Sequence, residues 1–182
     1  MTKAQLTVLA GPTAVGKGTV VAALTKRYPT LNVSVSATTR DPRPGELNGV
    51  HYYFVSAQEF DAMIERGDML EWALVHGKNK YGTPRGPVDE ALAAGKPVLL
   101  EIDLAGARQV RTNRPDAQFI FLAPPSWDEL ERRLIGRGTE GPEEQARRLA
   151  TARIELEAAS EFDHVVINDD VERAVDELAR LI

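Results

Sequence analysis

The segment Gly11-Pro12-Thr13-Ala14-Val15-Gly16-Lys17-Gly18-Thr19 fits seven of the eight positions of the phosphate-binding pattern G-x-x-x-x-G-K-[ST]. The eighth position should carry a hydroxyl for a metal ion; here it is Gly18, with Thr19 one place late. In such a loop successive backbone N–H groups converge on phosphate oxygens, and the lysine lies along the β- and γ-phosphates. The plain alternative is a Gly-rich turn with an exposed lysine. A downstream segment favours the first reading. Val98-Leu99-Leu100-Glu101-Ile102-Asp103 is an apolar run ending in two acids, the arrangement that holds magnesium through water at the end of a core strand. Taken alone, that run is ordinary core; the pair of segments is the stronger signal.

Two further groups carry positive charge. Arg40 and Arg43 stand among hydroxyl residues and prolines, with Tyr52 following. Two guanidinium forks and a phenol can enclose a second phosphate by charge-assisted hydrogen bonds, although loop arginines are commonly just solvated. Arg133 and Arg137 are four residues apart, and Arg148 follows a Gly-rich bend. They read either as a solvated helix laced with Glu–Arg pairs or as a mobile lid that brings charge to a transferring phosphoryl group. Glu71, before Trp72, could be an ordinary edge-strand carboxylate.

These residues need a scaffold, and the pattern supplies one. "QLTVLA" predicts a buried strand stopping at Gly11-Pro12, and Thr19 to Tyr28 a helix whose shared face holds Val20, Val21, Leu24 and Tyr28. The Gly-rich segment thus lies between a strand and a helix, as a phosphate loop requires. "LNVSVSATT", "VHYYFVS" and "MLEWALV" predict strands, and Ser56 with Glu59 a capping box before a helix that ends near Gly67. From Pro84 the reading is a helix to about Gly95, the strand "PVLLEID", a helix around "LAGARQV" and the strand "AQFIFLA". Ser126 and Glu129 cap the next helix; a long helix over about 143–159, the strand "HVVIN" and a final helix "VERAVDELARLI" complete the chain. The fold class expected is α/β: a P-loop NTPase-type parallel sheet flanked by helices, with a mixed β insertion and a helical lid. The expected division is a core of 1–32, 84–126 and 149–182, an insertion at 33–83 and a lid at 127–148.

With 182 residues the chain suits one domain with insertions, and its formal charge of −5 gives no overall attraction to nucleic acid or acidic lipid. Anion binding must come from local clusters. There is no cysteine, hence no disulfide framework or thiolate metal site. No apolar run suits a signal peptide or a membrane span, so a cytoplasmic protein without membrane or nucleic-acid partners is expected. A monomer and a homodimer both fit.

In their order, "GPTAVGKGT", "SVSATTRDPRPGELNGVHYYFVS", "LEWALVHG", "YGT", "VLLEIDLAGARQV", "FLAPPS", "RLIGRGTE" and "VINDD" resemble the guanylate kinases, P-loop nucleoside monophosphate kinases. The resemblance implies transfer of the γ-phosphoryl of ATP to GMP, with Mg²⁺, giving ADP and GDP. It assigns Gly11, Pro12, Thr13, Ala14, Val15, Gly16, Lys17, Gly18 and Thr19 to the ATP phosphates and places Asn168 near the adenine. Ser36, Arg40, Arg43, Tyr52 and Tyr81 go to the GMP phosphate, and Glu71, Thr83 and Asp103 to the guanine. Lys17, Arg40, Arg133, Arg137 and Arg148 would act on the transferring group, and Asp103, through water, and Thr19 on the metal. dGMP stays open as a second acceptor.

The sequence departs from the family in two places. Most members carry serine where Gly18 stands; adenylate kinases also have "GKGT" and hold the metal largely through water, so a working loop with altered metal ligation is expected. "HGKNKYGT" is one residue longer than usual, with Lys80 where a second tyrosine often stands. Two rival readings are a non-catalytic guanylate-kinase-like interaction module and a P-loop kinase of another phosphorylated acceptor such as a ribose bisphosphate. The first leaves Lys17 and the lid arginines unexplained, and the second leaves Glu71 with Thr83 unexplained.

Overall fold

The run Leu6-Thr7-Val8-Leu9-Ala10 forms strand β1 (Leu6–Ala10), and every residue of it is buried, because helices cover both faces of the sheet. In the computed structural model, which describes residues 4–136 and 141–182, β1 is the centre of a parallel sheet. Its other strands are β2 (Asn32–Val33), β7 (Val98–Glu101), β8 (Gln118–Ala123) and β9 (His164–Ile167), in the order β2-β7-β1-β8-β9. Alternate residues of β1 serve opposite cores. Leu9 packs with Val20, Leu24, Ile120 and Leu178, whereas Val8 packs with Val98, Leu100, Val110 and Phe119. Since β1 lies between β7 and β8, the crevice beyond its carboxyl end is where ligands bind in sheets of this kind.

The helices are α1 (Lys17–Arg27), α2 (Ala57–Glu65), α3 (Arg85–Ala93), α4 (Leu104–Asn113), α5 (Trp127–Ile135), α6 (Pro142–Glu157) and α7 (Val171–Leu181). A single 3₁₀ turn (Ala158–Glu161) follows α6. Ser56 and Ser126 accept the backbone N–H groups of Glu59 and Glu129 at 3.1 and 3.2 Å, as their spacing predicts. Each such cap contributes about 1 kcal/mol. α1 begins two residues earlier than the sequence suggests, because the phosphate loop runs directly into it. Tyr28 is the half-exposed residue after its last turn and not part of the buried face.

A second sheet, in the order β4-β3-β6-β5, stands apart from the first. It contains β3 (Ala37–Thr38), β4 (Tyr53–Phe54), β5 (Met69–Val75) and β6 (Asn79–Pro84), with β3 and β4 parallel and the other pairs antiparallel. Two expectations change here. The single strand read through "LNVSVSATT" is two short ones in different sheets: Asn32–Val33 pairs with β7, and Ala37–Thr38 with β6. The chain leaves one sheet for the other between them, a switch that apolar alternation does not mark. Strand β6 was not expected at all, because "NKYGTP" has neither alternation nor β-branched density. It forms by pairing with β5 across the turn Val75–Lys78, closed by the Lys78 N–H on the Val75 carbonyl at 3.1 Å. His76 and Gly77, at φ 52° and 64°, give that turn the twist a hairpin needs.

Candidate functional site

The phosphate loop curls by two left-handed residues, Ala14 (φ 67°) and Gly16 (φ 98°). At Gly16 glycine is required twice over: the φ disfavours any Cβ, and one placed there would lie 2.8 Å from Asn168 Nδ2. Asn168, only 4 % exposed at the end of β9, donates from Nδ2 to the Val15 carbonyl at 2.8 Å. Arg133, on α5, donates to the same carbonyl at 3.2 Å and pairs with Glu129 at 2.8 Å. The loop is therefore braced from behind by both residues. Ala14, Gly16, Thr19, Arg133, Asn168 and Asp169 line a cleft of about 540 Å³, large enough for a nucleotide.

Lys17 opens α1 and folds its ammonium onto the loop, donating to the Gly11 carbonyl at 2.6 Å and more weakly to that of Pro12 at 3.4 Å. Burial pushes its pKa down; the carboxylates of Glu155, Glu101 and Asp103 pull it partly back. Glu155, on α6, also accepts the Thr13 N–H at 3.2 Å. A Cβ added at Gly18 would lie 3.7 Å from the Glu101 carboxylate. Asp103 is the N-cap of α4, its Oδ1 accepting the Gly106 N–H at 2.7 Å.

The second group gathers on the second sheet. Arg40 forms a two-pronged pair with Glu46 at 2.9 and 3.0 Å, and its guanidinium lies 5.4 Å from the centre of the Tyr52 ring. Tyr81 meets the Tyr52 ring edge-on at 5.9 Å and lies close enough to Arg40 to help raise its pKa, after Glu46, so the longer hairpin loop still delivers this tyrosine to the cluster. Lys80 turns away from it, to Asp61. Glu46 also accepts the Arg43 N–H at 2.7 Å, and these contacts, Arg40 first, hold its carboxyl down to about 2. The Arg43 side chain is exposed, and Ser36 is half-buried at the entrance to β3.

Between these groups lie two carboxylates. Glu71, on β5 and 8 % exposed, accepts the Thr83 hydroxyl at 2.6 Å. Burial raises its pKa, the Thr83 bond lowers it, and the charge of Asp103 raises it further. A Cβ at Gly106 would stand 3.1 Å from Glu71 Oε2 and 3.2 Å from Asp103 Oδ1, so the missing side chain is what lets the two acids share one patch. Such a patch suits a ligand edge with adjacent N–H donors.

Arg148 lies on α6 beside Glu144, at 3.5 Å, and Arg137 lies outside the described residues. The sequence reading did not single out Glu46, Glu155 or the α4 amides described below. Glu155 has one legible sign: seven residues after Arg148, it shares a helix face with that arginine.

Comparison with known proteins agrees with this arrangement. The sequence profile of the family "Guanylate kinase" matches residues 3–182. The chain is 61 % identical over 180 residues to a guanylate kinase of Nocardia farcinica, covering 98 % of this chain and 93 % of that one. Among solved structures, a guanylate kinase from Anaplasma phagocytophilum superimposes with a TM-score of 0.72 at 32 % identity, covering 98 % of this chain and 84 % of that one. A shikimate kinase from Bacteroides thetaiotaomicron shares the fold, at a TM-score of 0.51 and 15 % identity, over 97 % of each chain.

Proposed function

From the premise that this chain belongs to the guanylate kinase family, we propose that it transfers the γ-phosphoryl group of ATP to GMP, giving ADP and GDP. The observation that carries the acceptor is Glu71, buried with the Thr83 hydroxyl beside it and Asp103 opposite. Guanine presents N1–H and an exocyclic amine side by side, and one carboxylate accepts from both. Adenine offers a lone pair at N1 and would leave Glu71 facing it, a mismatch of several kcal/mol in a buried site. Asp103 acts electrostatically on both Lys17 and Glu71, so it lies between the donor and acceptor regions.

The acceptor is already a phosphate oxygen, so no base is needed. That oxygen forms its bond to the γ-phosphorus as the bond to the β,γ-bridging oxygen breaks, and ADP leaves with the electron pair. The protein aligns the two nucleotides and neutralises charge on the equatorial oxygens. Lys17 serves the γ-phosphoryl from inside the loop. Arg40, Arg43, Tyr52 and Tyr81 hold the GMP phosphate, Arg40 exchanging Glu46 for it. Arg133, Arg137 and Arg148 form the lid set. Arg148 would leave Glu144 on closure, a small loss because partly exposed pairs are worth about 0–1 kcal/mol. Within this reading the enzyme works in the cytoplasm on free nucleotides.

Mg²⁺, when bound, would neutralise charge shared by the β- and γ-phosphates. The residues fit it: the Glu101 carboxylate lies next to Gly18, at the position where the motif places a hydroxyl, with Asp103 and Thr19 near. Among the described residues no group of three or more His, Asp or Glu side chains could cage a metal, which suits an ion that keeps most of its water. Gly18→Ser would restore the hydroxyl and is expected to lower the Mg²⁺ concentration for half-maximal rate by about threefold. An unchanged Mg²⁺ titration at fixed ATP would exclude a role for residue 18 in metal ligation.

The function is tested by ADP release from ATP with GMP, dGMP, AMP and ribose phosphates as acceptors. GMP should be favoured over AMP by about 10³-fold in kcat/KM; equal rates would defeat the guanine assignment. GMP binding without turnover would instead identify an interaction module. Arg40→Met removes two charge-assisted bonds, together about 3 kcal/mol, and is expected to raise the KM for GMP about 100-fold. The KM for ATP should stay unchanged in the same steady-state experiment.

A further inference from the structure

Among the described residues strand β5 is the outer strand of its sheet, with β6 on one side only, so alternate backbone groups on its other side have no strand partner there. The ladder is also irregular between Met69 and Glu71, which disturbs pairing just where Glu71 must be aimed. Helix α4 makes good both defects with side-chain amides. Gln109 Oε1 accepts the Trp72 N–H at 3.0 Å and Gln109 Nε2 donates to the Trp72 carbonyl at 2.9 Å, the double bond a neighbouring strand residue would make. One turn on, Asn113 Nδ2 donates to the Leu70 carbonyl at 2.8 Å. The two amides thus grip the residues on either side of Glu71.

The same helix face carries the rest of the patch. Asp103, Gly106, Gln109 and Asn113 follow one another at helical spacing, so α4 caps itself with one carboxylate, leaves room for the other at Gly106, and clamps the strand that bears it. We propose that Gln109, assisted by Asn113, is a positioning residue that sets guanine selectivity by fixing β5, and with it Glu71, against Asp103 on α4. The proposal rests on the reading of Glu71 as the guanine reader. It explains how a carboxylate on an edge strand is held accurately: the edge is paired to the core by a side chain that has both a donor and an acceptor.

Gln109→Met keeps the side chain's length and removes both bonds. The readout is kcat and KM for GMP against IMP, which keeps N1–H and lacks the exocyclic amine. The expected result is a GMP KM raised about tenfold, an IMP KM raised less, about threefold, because IMP uses only the N1–H bond to Glu71, and kcat at saturating GMP and the KM for ATP both within about twofold of the parent. A general loss, equal for GMP and IMP and shared by kcat and the KM for ATP, would overturn the proposal by making Gln109 merely structural. So would an unchanged GMP/IMP ratio. Asn113→Ala, an exposed change that removes only the Leu70 contact, should shift the same ratio about threefold, and it carries the test alone if Gln109→Met does not fold by circular dichroism; no shift in it would then overturn the proposal. Glu71→Gln is run beside them. If it leaves the GMP/IMP ratio intact, the reading of Glu71 fails; if it abolishes the preference while the α4 variants do not alter it, only the clamp fails.

Discussion

Lys17→Met is expected to lower kcat about 10³-fold, an increase of roughly 4 kcal/mol in the barrier. The methionine keeps the unbranched stem and the start of α1, so what is lost is the ammonium. In the free protein that ammonium is held on the Gly11 carbonyl at 2.6 Å, in a site dry enough to push its pKa down. A charge already desolvated and aimed needs little reorganisation when negative charge builds on the γ-phosphoryl oxygens, and this is why its removal should fall mainly on kcat. Glu101, Asp103 and Glu155, which now share the field of Lys17, would instead face the phosphates uncompensated. The KM for GMP should change less than about threefold, because Lys17 hydrogen-bonds the loop carbonyls of Gly11 and Pro12 and acts on the guanine patch only through the charge of Asp103. Steady-state ADP release checks both numbers. A variant that keeps a kcat within about tenfold of the parent would show that the loop is not the donor site.

Glu71→Gln is expected to lower kcat/KM for GMP about 10³-fold and to leave the protein more stable. The amide oxygen can still accept the Thr83 hydroxyl, which now reaches Glu71 Oε1 at 2.6 Å. The amide nitrogen, however, would turn a donor toward guanine donors. Losing charge-assisted bonds and leaving a buried donor unpaired together amount to about 4 kcal/mol. The stability effect follows from the raised carboxyl pKa, caused first by burial. A carboxyl whose folded pKa lies above its unfolded value is penalised when ionised. That penalty is fully present above the folded pKa, shrinks as pH falls through it, and disappears below the unfolded value. The neutral amide escapes it, so Glu71→Gln should raise Tm at neutral pH by a few degrees, about 2–4 °C per kcal/mol at this chain length, with the gain shrinking in acid. Thermal melts at neutral and acid pH check this. A lower Tm at neutral pH would mean that the carboxylate is a structural asset, and the assignment of the site would lose its physical basis.

How much of this was legible before folding depends on the range of the interaction. The segment from Gly11 to Thr19 is shaped by its own backbone, so residue type and spacing were enough to read its place between strand and helix and the departure at Gly18. Helix caps at Ser56 and Ser126 are local in the same sense. The parallel sheet was legible from its buried apolar runs; the family resemblance singled out Arg40, Tyr52, Glu71 and Thr83, which the structure gathers as two pairs, Arg40 with Tyr52 and Glu71 with Thr83.

Other features came only from the tertiary structure. β6 has no apolar signature and exists because β5 offers it a ladder. Asn168, just past the end of β9, supports the phosphate loop from 153 residues away and Glu155, within α6, from 142, through side chains of ordinary type. The burial that shifts Glu71 and Lys17 is set by what packs over them, and no residue carries that information alone. Gln109 reads in sequence as one polar residue on a surface helix; only the docking of α4 on an edge strand gives its amide a use. Short-range geometry is written in spacing, whereas the support of a site is written in contacts between distant segments, which spacing does not encode.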